Sequence, residues 1–219
     1  RTLLRFFFKL LYHQLAFAYD FVAATVSVGQ WKNWVSSILP FIEGTRILEI
    51  GHGPGHLQRI LLSRGLDSVA IDESASMGLL AKRNTDGKAN LARALAQALP
   101  FADASFDTVI ATFPAEYIND PLTLAEVRRC LSDGGRFIVL PVALQMGRKP
   151  LDRLMSLLFR VTHQSPVDPL EEVKEKLRTP FIDAGFDVDV QELHVKSSLL
   201  LLIIAKVAPA AVPGGEDAA

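Results

Sequence analysis

Ile47-Leu48-Glu49-Ile50-Gly51-His52-Gly53-Pro54-Gly55-His56-Leu57 reads as a buried strand, a glycine loop and the first turn of a helix. Apolar residues at 47, 48 and 50 make a short strand of the buried kind. Glycines at alternate positions let the backbone turn sharply and approach a ligand without a Cβ in the way. The following helix, Leu57 to Ser63 before Gly65, points its free N–H groups into the loop. A small polar ligand is therefore expected at the mouth of the first strand. Spacing narrows the choice. A dinucleotide loop reads G-x-G-x-x-G, whereas here the third glycine, Gly55, arrives one residue early and His56 takes its place. Pro54 removes one N–H from the loop. No G-x-x-x-x-G-K-[ST] occurs, so a P-loop is excluded.

Three more segments stand at set distances from the loop. Ser68-Val69-Ala70-Ile71-Asp72 is a second strand with an acidic end, 17 residues beyond Gly55. A carboxylate there can accept from both hydroxyls of a ribose. The other two are Ala98-Leu99-Pro100-Phe101-Ala102-Asp103-Ala104-Ser105-Phe106-Asp107-Thr108-Val109 and Glu126-Val127-Arg128-Arg129-Cys130-Leu131-Ser132-Asp133-Gly134-Gly135-Arg136-Phe137-Ile138-Val139-Leu140. Asp103 and Asp107 read as turn formers, Gly134-Gly135 as a turn, and Cys130 as a small apolar residue on a helix.

Together these motifs resemble the class I S-adenosylmethionine (SAM) methyltransferases, over about Tyr19 to Leu140. Glu49, Gly51, Gly53 and Gly55 match the acidic residue and G-x-G-x-G of that superfamily's first motif. The second and third segments resemble its "LPF…SFD.V" and "E..R.L.pGG" stretches. Tyr19-Asp20 and Trp31-Lys32-Asn33-Trp34 resemble the "YD" and "W..W" pattern of the ubiquinone/menaquinone-biosynthesis branch, where the tyrosine approaches the cofactor; as a sequence feature Tyr19 also reads as a core aromatic. The resemblance implies a Rossmann-like α/β fold, a seven-stranded, mostly parallel sheet with helices on both faces and the last strand antiparallel. It implies SAM as cofactor, held by Tyr19, Glu49, Gly51, His52, Gly53, Gly55, Asp72, Glu73, Leu95, Ala96, Gln97, Thr112 and Phe113. One departure matters: where many relatives place an acid to hold the adenine amino group, this chain has Leu95. Adenine recognition then falls to backbone near Leu95 and Ala96, together with Gln97.

From the residues alone, the alternation of segments argues for a parallel sheet with helices on both faces. Strands are expected near 46–50, 68–72, 90–93, 107–112, 135–140, 186–193 and 197–207, and helices near 55–64, 75–84, 120–131 and 168–184. The 219 residues suffice for one α/β domain. The expected organisation is a helical cap over 1–40, the SAM-binding domain over 41–207 with a helical insert near 148–165, and a disordered tail over 208–219. Net charge is −1, so bulk electrostatics gives no reason to expect a nucleic-acid partner. A single cysteine excludes an intrachain disulfide and a multi-Cys metal site. The five histidines lack ligand spacing on one helix, and no metal is expected.

Two greasy, basic segments lie outside the nucleotide core. In the first, Arg1, Arg5, Lys9 and His13 form one polar line among Leu and Phe residues; it reads equally as a membrane-interface helix over 1–28 and as a cap or dimer face. In the second, over 148–163, Leu151, Leu154, Met155 and Leu158 form an i, i+3, i+4, i+7 stripe. It reads as a helix packed on the sheet edge or as a lid over an apolar substrate.

Methyl transfer from a sulfonium is an in-line displacement in which the protein aligns the partners and excludes water. Thr112 to Tyr117 should border the methyl, and Glu116, Tyr117 and His163 are the polar candidates for catalysis, each with a structural role as the alternative. Thr112-Phe113-Pro114 lacks the N-P-P-[YF] pattern that goes with planar nitrogen acceptors. The expectation is a SAM-dependent methyltransferase acting on a small apolar or lipid-like acceptor, cytoplasmic and with possible peripheral membrane contact. The alternatives are a non-catalytic, regulatory SAM-binding protein, favoured by Leu95, and a nucleotide-dependent oxidoreductase, disfavoured by the glycine spacing.

Overall fold

The computed structural model describes residues 30–145 and 169–207. The sequence-based expectations for Tyr19, His163, the segments 1–28 and 148–163 and the tail 208–219 lie outside the described residues. Within them the chain runs α1 (Trp31–Ser36), β1 (Ile47–Ile50), α2 (His56–Ser63), β2 (Ser68–Asp72), α3 (Ala75–Asn84) and β3 (Asn90–Arg93). It continues with β4 (Phe106–Thr112), α4 (Pro121–Cys130), β5 (Leu131–Gln145), α5 (Pro169–Asp183), β6 (Asp187–Val195) and β7 (Ser198–Lys206).

One seven-stranded sheet results, in the order β3-β2-β1-β4-β5-β7-β6. The first five strands are parallel to their neighbours, and β7 is antiparallel to both β5 and β6. The last strand thus runs against the rest, as the resemblance implied. The order reverses between β1 and β4, which opens a crevice at the carboxyl ends of these two strands.

Strand composition follows burial. All four residues of β1 are buried, as are eight of the nine in β7, because helices cover both faces. The edge strand β3 is largely exposed. Successive residues of each inner strand supply two separate cores. Leu48, Val109, Phe137 and Val139 pack with Leu124, Val127 and Cys130 of α4 and Phe181 of α5. Ile47, Ile110, Ile138 and Leu140 pack with Trp34 and Val35 of α1, and with Leu57, Ile60 and Leu61 of α2. Cys130 is a free, fully buried thiol in the first core, and burial pushes its pKa up.

Two sequence expectations change. β5 is longer than expected, because its pairing starts at Leu131, crosses a bulge between the pairs Phe106–Leu131 and Thr108–Arg136, and continues against β7 to Gln145. Gly134-Gly135, expected as a turn, lies within that irregularity, with Gly134 at a φ of +71°. A Cβ on Gly135 would stand 2.8 Å from the Ser132 carbonyl oxygen, so the close crossing requires glycine. Asp107, expected as a turn former, is the second residue of β4. Its Oδ2 accepts from the backbone N–H groups of Thr45 and Arg46, each at 3.1 Å, and its Oδ1 from Arg46 Nε at 3.0 Å. It fastens the chain entering β1 to β4.

Candidate cofactor site

A cavity opens where β1, β2 and β4 end. Its walls are the glycine loop (Ile50, Gly51, Gly53), the end of β2 (Ile71 to Ser74), the segment after β3 (Ala94 to Gln97) and the segment after β4 (Thr112 to Ala115, with Tyr117). Of the expected cofactor residues, Gly51, Gly53, Asp72, Glu73, Leu95, Ala96, Gln97, Thr112 and Phe113 line it. Glu49, His52 and Gly55 do not, and each does something else.

The three glycines differ in what surrounds them. All have positive φ, at +74°, +50° and +81° for 51, 53 and 55. A Cβ on Gly55 would stand 3.0 Å from Ala81 Cβ and 3.1 Å from its Cα, so this glycine lets α2 start close against α3. A Cβ on Gly51 would collide with the Tyr117 hydroxyl, which lies over the loop 3.4 Å from the Ile50 carbonyl oxygen. A Cβ on Gly53 would meet no heavy atom of the described residues within 4 Å, so that side of the loop borders open space.

The loop donors are consumed internally. Gly51 and His52 both donate to the Ile71 carbonyl, at 2.8 and 3.1 Å, and Gly55 donates to the His52 carbonyl at 2.9 Å. The Gly53 N–H donates to Asp72 Oδ2 at 2.9 Å, and Pro54 has no N–H. Residues 51–55 therefore retain no N–H with which to cradle a pyrophosphate. His52 is buried; its Nδ1 lies 2.7 Å from the Gly53 carbonyl oxygen, which can only accept, so Nδ1 carries the proton.

Asp72 organises this end of the sheet. Besides Gly53, it accepts from Ser74 N–H through Oδ1 at 2.8 Å, and Ser74 in turn caps α3 through the Met77 N–H. A carboxylate has about four acceptor positions, so a ligand hydroxyl can still be bound. Glu49 points under α2 instead. It is buried, with its Oε2 accepting from Gln58 Nε2 at 2.8 Å, while Gln58 Oε1 accepts from Ser68 Oγ at 2.9 Å. Burial pushes its pKa up to about 7, against the lowering effect of the Gln58 hydrogen bond and helped by the nearby Asp72 charge.

The far wall hangs from α4. Glu126 Oε2 accepts from the Leu99 N–H at 2.8 Å. Arg129 donates to the Phe101 and Leu99 carbonyls at 2.8 and 3.1 Å, and forks onto Glu126 at 2.9 and 2.8 Å. This pairing explains why a Leu-Pro-Phe segment and a Glu-x-x-Arg helix occur together in the sequence. Asp103 also meets Arg129, at 2.7 Å.

At the β4 end, Phe113 has φ +49°, an uncommon conformation for a large side chain. Its N–H donates to Leu140 O at 2.7 Å. Its ring lies 4.4 Å from Trp31 and 6.0 Å from Trp34, centroid to centroid. The tryptophans of the "W..W" pattern therefore act on the cavity through Phe113, a role the sequence did not assign. Of the three catalytic candidates, Tyr117 lines the cavity and Glu116 is exposed outside its lining; His163 is outside the described residues.

Residues 48–139 match the family model described as "Methyltransferase domain". A demethylmenaquinone methyltransferase of Renibacterium salmoninarum is 34% identical over 133 residues, 59% of this chain and 56% of that protein. A ubiquinone/menaquinone biosynthesis C-methyltransferase of Geotalea uraniireducens is 29% identical over 142 residues, 59% of this chain and 60% of that protein. The chain thus spans little more than half the length of these relatives. Among solved structures, a putative S-adenosyl-L-methionine-dependent methyltransferase of Methanococcus maripaludis shares the fold, with TM-score 0.59 at 18% identity over 90% of this chain and 94% of that one. Motifs, sheet order and family match point the same way: residues 48–139 are similar to a methyltransferase domain, and the described residues share the fold of the methyltransferase structure above.

Proposed function

We propose that the chain transfers a methyl group from SAM to a small apolar acceptor of the quinone-ring class. The observation that carries the cofactor assignment is the cavity at the switch point, with open space at Gly53, a ribose-competent carboxylate at Asp72 and a loop whose N–H groups are spent. Such a loop offers no N–H for a pyrophosphate, which fits a nucleoside that carries no phosphate. The acceptor class is supported by the demethylmenaquinone and ubiquinone/menaquinone methyltransferases among its relatives and by the ring of Phe113 in the cavity wall, backed by Trp31.

In this reading Asp72 and Glu73 face the ribose, Ala96 and Gln97 the base, and Thr112, Phe113 and Tyr117 the reacting methyl. The sulfonium is already activated as a leaving group, so alignment and exclusion of water supply the rate. Tyr117 is the polar side chain placed to orient an acceptor; any contribution of His163, Tyr19 or a membrane contact through 1–28 and 148–163 rests on the sequence.

Calorimetric titration with SAM and S-adenosylhomocysteine tests the cofactor, with micromolar binding expected, roughly −8 kcal/mol. Gly53→Ala and Asp72→Ala should each weaken it; unchanged affinity in either overturns the site assignment. Formation of S-adenosylhomocysteine with a demethylated naphthoquinol then tests turnover. Binding without turnover across such acceptors would favour the non-catalytic alternative, which Leu95, half exposed in the cavity wall where an acid is usual, supports.

A further inference from the structure

The wall that faces the base contains one side chain with directional hydrogen bonding, Gln97; its neighbours Ala94, Leu95 and Ala96 are apolar. Gln97 is half-buried, and its Nε2 donates to Asp120 Oδ2 at 3.1 Å. Asp120 is the N-cap of α4, where its Oδ1 accepts from the Leu122 N–H at 3.0 Å. A free amide can turn over and offer either its oxygen or its nitrogen. A carboxylate only accepts, so Asp120 holds the nitrogen of Gln97 through one of its two N–H groups and fixes which way the amide oxygen faces.

We infer that Asp120, which does not line the cavity, is a positioning residue for base specificity: by holding the Gln97 amide in one orientation it makes this wall an acceptor and selects a 6-amino purine over a 6-oxo purine. The inference rests on the proposed cofactor. It assigns to the aspartate at the N-cap of α4 the discrimination that Leu95 cannot supply. The device differs from a charged acid on the wall. Here the carboxylate stays one residue away from the ligand, and the neutral amide transmits its polarity.

The test compares S-adenosylhomocysteine with S-inosylhomocysteine, which differ only by the amino or oxo group at C6 and its consequence at N1. The wild-type chain is expected to bind the adenosyl compound at least about tenfold more tightly, the difference made by one satisfied or opposed hydrogen bond. Asp120→Asn keeps a good helix cap but adds a donor, which lets Gln97 turn its nitrogen toward the cavity. The ratio of the two dissociation constants should fall about tenfold or more in this variant, and Gln97→Leu should lower it as well. Damage to the fold would weaken both ligands together and leave the ratio alone. A ratio in Asp120→Asn equal to that of the wild type overturns the inference while leaving the cofactor assignment standing. Failure of the wild type to bind either compound overturns both.

Discussion

The two ends of β1 each hold a carboxylate, and the two are treated in opposite ways. At the amino end Asp107 of the neighbouring strand is about a quarter exposed and meets the Arg46 guanidinium and two backbone N–H groups. The Arg46 side chain, then the N–H groups of Arg46 and Thr45, hold its carboxyl well below the usual carboxylate range, against the opposing effect of burial. At the carboxyl end Glu49 is buried beside the ligand loop with an amide for company and an acid nearby. Buried charge without a cation is a cost to folding. The end remote from the cavity is therefore built for stability. The end beside it gives stability up, the usual pattern where a site must be held in an unfavourable arrangement.

Four substitutions test this contrast. Asp107→Ala should be the most damaging, because it leaves the Thr45 and Arg46 N–H groups and a guanidinium without their acceptor; roughly 2–4 kcal/mol of stability should be lost in denaturant unfolding. Its depressed carboxyl pKa supports stability above the unfolded value near 4, a contribution that fades as pH falls toward the folded value. Glu49→Gln should act in the opposite sense. The raised carboxyl binds its proton more tightly in the folded chain, so stability declines as pH rises from the ordinary 4.5 through about 7. At pH 8 the variant should gain up to about 3 kcal/mol, shrinking toward zero near pH 4.5. A variant no more stable than the wild type at pH 8 would erase the contrast between the two ends.

The glycines sharpen it on a smaller scale. Gly55→Ala adds a Cβ against α3 at a φ of +81° and should cost about 2 kcal/mol in a thermal or denaturant melt. Gly53→Ala meets no atom within 4 Å and should cost only the left-handed backbone, about 1 kcal/mol, while lowering cofactor affinity. Equal stability losses in the two would mean that the space beside Gly53 is not set aside for a ligand.

What was legible in the sequence was local. The strands, the glycine loop and the acid at Asp72 are short-range patterns, and the structure reproduces them. Partnerships across long separations were not legible. Asp107 reads as a turn residue until Arg46 and Thr45 are brought beside it. Glu49, expected at the cofactor, pairs with Gln58 under α2, a partnership no local pattern announces. Gln97 was expected near the base, but its orientation depends on Asp120, 23 residues on. The left-handed backbone of Phe113 had no signal at all, since nothing in Thr112-Phe113-Pro114 calls for a positive φ.

The clamp from Glu126 and Arg129 to residues 99–101, together with the Gln97 contact to the α4 N-cap Asp120, ties the cavity wall at residues 94–97 to α4. Linkage then runs both ways. A ligand that orders this wall also protects α4, so amide exchange in that helix should slow when the cavity is filled. Conversely, any partner or substitution that loosens α4 weakens ligand binding without touching the cavity. The helix is thereby a handle on affinity whose own residues do not line the cavity.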